Sequence, residues 1–213
     1  MPEIKWLGHA SFLLRSESGV TLVMDPYDDT IGYPLPYPTA DIVTTSHDHR
    51  DHGYVAGVRG NPQVIRTPGE HRVKGIRILG IPTHHDERGG KQRGPNVIYV
   101  VDMDGVTICH LGDLGHPLKK EQVGQIGAVD VLMVPVGGVY TIDARQAAEL
   151  VRQVGPRLVL PMHYQTPALS FPLAPVDDFF RALGLKKPVP LPGLTVRREA
   201  LPAEMQVVLL DYR

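Results

Sequence analysis

Cysteine is all but absent: Cys109 is the only one in 213 residues. A lone thiol makes no intrachain disulfide and cannot supply a Cys-based zinc knuckle. On a predicted strand it reads as a small core side chain. Long apolar runs are missing too. The longest, around Val129–Tyr140, contains Asp130, Pro135 and two glycines. It falls short of the roughly 18 uninterrupted apolar residues that a membrane span needs, so no membrane partner is expected. Neither sign of charge dominates. The 22 basic and 23 acidic side chains give a net charge of −1, which argues against a protein that holds nucleic acid by its phosphates. No Gly-x-Gly-x-x-Gly follows a strand and no P-loop occurs, which removes a dinucleotide-binding reading. The opening Met1-Pro2-Glu3-Ile4-Lys5 has no basic-then-apolar pattern, so a cytoplasmic location is the expectation.

Hydrophobic residues make up 42% of the chain and charged ones 21%, enough to bury a sizeable core. The length suits one layered unit, and no linker divides it, so residues 1–213 are read as a single domain. Gly (22) and Pro (20) predict many tight turns. Strands are predicted at Ala10–Arg15, Val20–Asp25, Asp41–Thr45, Gln63–Arg66 and Val73–Pro82. The proline-laden segment Ile31–Pro38 reads as a loop. Asn96–Asp102 and Val106–Leu111 form the clearest hairpin, turning through Met103-Asp104-Gly105. Later come a buried strand at Asp130–Val136, a helix over Ala144–Val154 capped by Asp143, and a strand at Arg157–Pro161. A short helix at Val176–Leu183 and a closing strand at Gln206–Leu210 complete the pattern. Strands first, then strand–helix–strand, favours an α/β sandwich with sheets inside and helices outside.

Histidine is the unusual residue, with ten in the chain. His47, His49, Asp51 and His52 lie in one loop directly after a strand. Imidazoles and a carboxylate so close together suit Zn²⁺, Mn²⁺ or Fe. Side chains at i and i+2 point the same way, so His47 and His49 can converge on one ion while Asp51 and His52 reach a second. A polar, solvated loop is the plainer reading. Clustered imidazoles repel once charged, however, and a metal is what keeps them neutral. Other strand ends add His84-His85-Asp86, Gly112-Asp113 and His163. Adjacent residues of extended backbone face opposite sides, so only one of His84 and His85 can meet the ion bound by His47 and His49.

His47-x-His49-x-Asp51-His52, a later histidine, Gly112-Asp113 and a final His163 resemble the metallo-β-lactamase fold superfamily of metal-dependent hydrolases. Trp6-Leu7-Gly8-His9-Ala10-Ser11-Phe12, Asp25-Pro26, the run Pro135–Thr141 and Pro161-Met162-His163-Tyr164 resemble its small prokaryotic branch of Zn-dependent, ascorbate-phosphate lactonase-like hydrolases. The resemblance spans essentially the whole chain and implies a four-layer αββα sandwich. It also implies two divalent ions, zinc or manganese, with iron as the alternative. His47, His49 and the His84/His85 position would hold the first ion; Asp51, His52 and His163 the second; Asp113 both. His85 is favoured over His84, because in that branch the ligand precedes an acidic residue and a Gly-rich loop, as His85-Asp86 precedes Gly89-Gly90. Asp51 is the catalytic candidate, orienting a hydroxide shared by the ions. The implied substrate is a small phosphodiester, lactone or related ester, and a homo-oligomer is compatible with this reading.

Asp25 would support a ligand histidine, with Asp86 beside the ligand as a further support. His9 reads equally as a pocket residue and a core histidine. His116 is a candidate for substrate contact and Tyr164 for ligand support or substrate contact, whereas His110 reads as structural and His71 as surface. The Pro-rich stretch Gln165–Pro192 is expected over or beside the metal cleft. Two rival readings stand: a diiron redox or oxygen-handling protein, and a non-enzymatic metal-bound ligand sensor.

Overall fold

Alternation at the N-terminus buries Ile4 and Trp6 and exposes Glu3 and Lys5, the period of a strand with one wet face. In the computed structural model, which describes residues 1–213, this segment is β1 (Glu3–Gly8). It is followed by β2 (Ser11–Arg15), β3 (Thr21–Met24), β4 (Ile42–Thr44), β5 (Gln63–Ile65), β6 (Gly69–Val73), β7 (Ile76–His84), β8 (Pro95–Met103) and β9 (Val106–His110). Then come α1 (Lys120–Ile126), β10 (Val131–Pro135), α2 (Ala144–Val154), β11 (Leu158–Met162), α3 (Val176–Leu183), β12 (Leu194–Thr195) and β13 (Gln206–Val207).

The strands form a six-stranded sheet, β12-β1-β2-β3-β4-β5, and a seven-stranded sheet, β13-β11-β10-β9-β8-β7-β6. One continuous apolar cluster joins them, with Trp6, Phe12 and Leu22 from the first sheet against Ile78, Ile98 and Met103 from the second. The helices gather on the side of the seven-stranded sheet: α2 packs on β10, α3 on α2, and α1 on α2 and β7. The outer face of the six-stranded sheet is covered more thinly. There Ala40 and Val58, with Val55 of a 3-10 turn, pack on Val23 and Val43. The result is a mixed α/β sandwich of two packed sheets with few helices.

Strand direction is what positions the site. β1 and β3 both run antiparallel to β2, and β4 runs parallel to β3, so these three point one way. In the second sheet β7 and β9 are both antiparallel to β8, and β9, β10 and β11 are mutually parallel. The C-terminal ends of β7, β9 and β11 therefore share one edge. His85, Asp113 and His163 follow these ends, and the His47–His52 loop follows the C-terminal end of β4 in the other sheet.

Several elements differ from their sequence patterns. β1 was outside the expected strands, because its charged alternate residues dilute the apolar signal. The expected strand Val73–Pro82 contains a hairpin turn. Lys74 and Gly75 both take positive φ, 48° and 83°, which gives the tight reversal between β6 and β7. Helix α1 was not anticipated, since it buries only Ile126 fully. The closing strand is shorter than Gln206–Leu210, with Leu210 reduced to an isolated bridge to Leu191. Helix α2 forms where expected. Asp143 accepts from the Arg145 and Gln146 N–H groups, Gln146 bonds back to Asp143, and Gly155 closes the helix in a left-handed conformation.

Candidate metal centre

The strand ends bring two groups of ligand atoms together. His47 and His49, after β4, and His85, after β7, form one group whose ligating atoms all lie within 4.8 Å of one another. His9 from the β1–β2 turn, Asp51 and His52 from the loop after β4, and His163 at the end of β11 form another on the same spacing. Asp113, buried after β9, stands between them. Its Oδ2 lies 3.2 Å from His85 Nε2, 3.2 Å from His52 Nε2, 3.3 Å from His163 Nε2 and 3.9 Å from His47 Nε2. One carboxylate oxygen thus touches both groups, which is where a bridging ligand belongs.

Hydrogen bonds behind the imidazoles fix which nitrogen faces inward. Asp25 is fully buried; its Oδ1 accepts from the Ser46 N–H at 2.7 Å and its Oδ2 from the His52 Nδ1–H at 2.8 Å. The Ser46 hydroxyl also donates to Asp25 Oδ2, at 2.5 Å, so its oxygen is left to accept from His47 Nδ1–H at 2.9 Å. Both histidines therefore carry their proton on Nδ1 and present a bare Nε2 to the centre. Asp113 is held in a comparable way. Its N–H donates to Asn96 Oδ1 at 2.9 Å, while Asn96 Nδ2 is tied to Thr83 Oγ1 and the Leu111 carbonyl. Gly112 allows this approach, since its φ is 56° and a Cβ there would strike Asn96 and Ser46.

The donor set fits a metal by its own accounting. Eight buried side-chain polar atoms have no hydrogen-bond partner, and seven of them belong to His9, His47, His52, His85, Asp113 and His163. Buried polar atoms are almost always paired, so a concentration of bare ones calls for a partner of another kind. Protons do not suffice at His9, His47 and His49. Burial, reinforced by nearby imidazoles, holds His9 down to about 4 and His47 to about 3. Burial likewise lowers His49. At His52 burial opposes charge, yet Asp113 and Asp51 raise the imidazole well above its ordinary range. That field favours a divalent cation beside His52 even more than a proton. Burial also opposes charge on Asp113, but His163 and His52 keep its carboxyl well below the usual range.

His9 and Asp51 meet at 3.3 Å between His9 Nε2 and Asp51 Oδ2. An ionised carboxylate only accepts, so His9 donates from Nε2 and keeps Nδ1 bare. The His9 carbonyl accepts from Trp6 Nε1–H at 3.0 Å and from the His163 N–H at 3.0 Å. His9, Asp25 and His163 all hold positive φ, at 52°, 46° and 51°. Such left-handed backbone costs of order 1–3 kcal/mol per residue, and here it gathers at one site.

Other expected residues are placed apart. His84 is exposed and donates its N–H to His116 Nε2 at 3.3 Å, while His116 Nδ1–H bonds the Pro117 carbonyl. Both line a cleft separate from the one above the ligand cluster. Tyr164 packs on Trp6 with ring centroids 5.2 Å apart and lines a different recess. His110 bridges the sheets, donating from Nε2 to the Ala10 carbonyl at 2.8 Å and accepting from the Gly112 N–H. Asp86 is a loop organiser, accepting the N–H groups of Arg88, Gly90, Gln92 and Arg93.

The cleft above the cluster has a volume of about 360 Å³ and a floor of His49, Asp51, His85 and Asp113. Ile31, Arg50, Arg93, Tyr140 and Phe171 form its walls. Phe171 brings the first part of the Pro-rich stretch beside the cleft, while α3 further along packs on α2. Sequence reasoning missed Ser46, Asn96 and these wall residues. Ser46 sits immediately before His47, and Asn96 is one of only two asparagines, but neither position announces its partner.

The sequence profile of the beta-lactamase superfamily domain matches residues 3–163. A metal-dependent hydrolase of Pyrococcus horikoshii is 30% identical over 89% of this chain and 95% of its own. A crystal structure from Thermotoga maritima, described as a Zn-dependent hydrolase of the metallo-beta-lactamase superfamily, is 41% identical with a TM-score of 0.82, covering 99% of this chain and 98% of that one. A metallo hydrolase of the archaeon Ignicoccus hospitalis is 25% identical at a TM-score of 0.67, covering 92% and 97%.

Proposed function

Since the chain belongs to the beta-lactamase superfamily and is a metal-dependent hydrolase, we propose that its cleft holds two divalent ions, zinc or manganese, and cleaves a small phosphodiester, lactone or related ester. The observation that carries this reading is the pair of ligand groups sharing one oxygen of Asp113. His47, His49 and His85 would hold one ion, Asp51, His52 and His163 the other, and Asp113 both. Ions so placed supply Lewis acidity toward the substrate oxygen that gains charge, and they make water nucleophilic near neutral pH.

The chain's own residues do the rest. Burial would raise the Asp51 carboxyl, but His52 and His9 hold it below the usual range, so it is an acceptor at neutral pH. With Oδ2 engaged by His9, its other oxygen remains to orient a water and receive a proton. His9, neutral at pH 7, steadies Asp51 without cancelling its charge. The Asp25–Ser46 relay keeps the His47 and His52 lone pairs aimed at the cluster, and Phe171 and Ile31 give the cleft an apolar wall.

The test is a hydrolysis screen over phosphodiesters, lactones and carboxylic esters, with metal content measured on the same sample. Close to two ions per chain and turnover of at least one class are expected. One ion or none after excess zinc or manganese, or full loading with no turnover, overturns the reading.

A further inference from the structure

We infer that the loop 86–94 forms a recognition subsite for a second, non-reacting oxyanion of the substrate, a carboxylate or a phosphate, bound by the Arg93 guanidinium. The inference rests on the hydrolase reading of the same cleft and deepens it to a substrate with two polar ends.

The argument begins with Asp86. This buried carboxylate spends both oxygens on its own loop, Oδ1 on the N–H groups of Arg88 and Gly90, Oδ2 on those of Gln92 and Arg93, all at 2.8–2.9 Å. Arg93 is thus pinned at its own backbone, eight positions after a metal-ligand candidate. Gln146 Nε2 adds an outer tether by donating to Glu87 Oε1 at 3.2 Å. A loop fixed in this way loses little freedom when it binds, which favours affinity.

The side chain is placed to use that rigidity. The Arg93 guanidinium carbon lies 5.3 Å from the centroid of the Tyr140 ring. Tyr140 lies 6.1 Å from Phe171, and Phe171 lies 5.6 Å from His9. A line of rings therefore runs from Arg93 at the mouth to the ligand cluster on the floor. Arg93 has no carboxylate partner, unlike Arg66, Arg77 and Arg152. Stacked on one face, a guanidinium still offers its edge as a planar fork that matches the two oxygens of a carboxylate or phosphate. Apolar walls between fork and floor leave room for a short hydrocarbon body.

Calorimetry on the zinc-loaded protein tests this with three probes of similar length: butyrate, succinate and 3-phosphonopropionate. Butyrate carries one oxyanion; the other two carry a second, of either kind. At least one dianion is expected to bind about tenfold or more tighter than butyrate, the scale of a charge-assisted fork. Arg93→Ala should abolish that gain and leave butyrate affinity unchanged. Arg59→Ala is the control, because Arg59 also sits over a tyrosine ring, that of Tyr37 at 5.4 Å, away from the cleft; it should keep the gain. Which dianion gains tells carboxylate from phosphate. Equal binding of all three, no binding of any, or a gain that survives Arg93→Ala overturns the inference. Hydrolysis of 4-nitrophenyl butyrate and 4-nitrophenyl hemisuccinate is measured alongside: failure of both esters with the binding gain intact counts against the hydrolase reading alone.

Discussion

Ser46 donates to Asp25 and accepts from His47 through one hydroxyl, so removing it frees the His47 ring and leaves Asp25 under-paired. Ser46→Ala is expected to weaken zinc binding by about 10–100-fold, as loss of a group supporting a ligand does. Competition against a chromogenic chelator measures it, and unchanged affinity would show that the tautomer is held without Ser46. Asp51→Asn, which keeps the shape and removes the charge, is expected to lower turnover by roughly a hundredfold or more at equal metal content. Near-normal turnover would exclude Asp51 as the proton acceptor. At this scale His47, His49, Asp51 and His52 were legible as a group because they crowd into one loop after β4. Ser46 and Asn96 were not. Their partners Asp25 and Asp113 lie 21 and 17 positions away, and nothing local marks a single polar residue as the support of a distant one.

The loop after β7 is an element organised by one charge. Burial alone would raise the Asp86 carboxyl, but the four N–H donors overrule it and hold it below its usual range. A depressed carboxyl contributes stability that is complete above its unfolded value, 3.8, and is lost as pH falls through the folded one. Asp86→Asn should therefore lower the melting temperature of the chelated protein at pH 7, and the gap from wild type should narrow below about pH 4. A gap that stays constant from pH 7 to pH 3 would show that charge is not what the donors hold. Elements with a strong local signature were readable, as with α2, whose cap, apolar stripe and terminal glycine all agree. The β6–β7 reversal escaped because the Val73–Pro82 pattern continues straight through Lys74 and Gly75. Their positive φ values leave no mark on hydrophobic period.

For the molecule as a whole, the centre is a joint between two sheets. His9, His47, His49, Asp51 and His52 come from loops of the six-stranded sheet, and His85, Asp113 and His163 from the other. A cation held by both cannot bind the unfolded chain in the same way. Zinc at a hundred times its dissociation constant should then add about 2.7 kcal/mol to stability, or roughly 5–10 °C in melting temperature for a chain of this size. Asp113→Asn, lacking the charge at the crossing point, should lose most of that rise. Calorimetric scans with and without zinc decide it, and equal rises in both proteins would remove Asp113 from the joint. The sandwich class was legible from strands leading and a strand–helix–strand unit following. The pairing order was not, because it is set by contacts between segments far apart in the chain.

The bond from the His163 N–H to the His9 carbonyl joins the last residue of the cluster to the first. The first residue of the cluster leaves the ribosome long before the last, and at about 5–20 residues per second the nascent chain spends many seconds with half a site. Through that interval His9 and the His47–His52 loop are tethered to no complete cage. The assembly of so non-local an arrangement waits on both sheets. The complete ligand set is thus assembled only once His163, at the end of β11, has joined the residues that precede it.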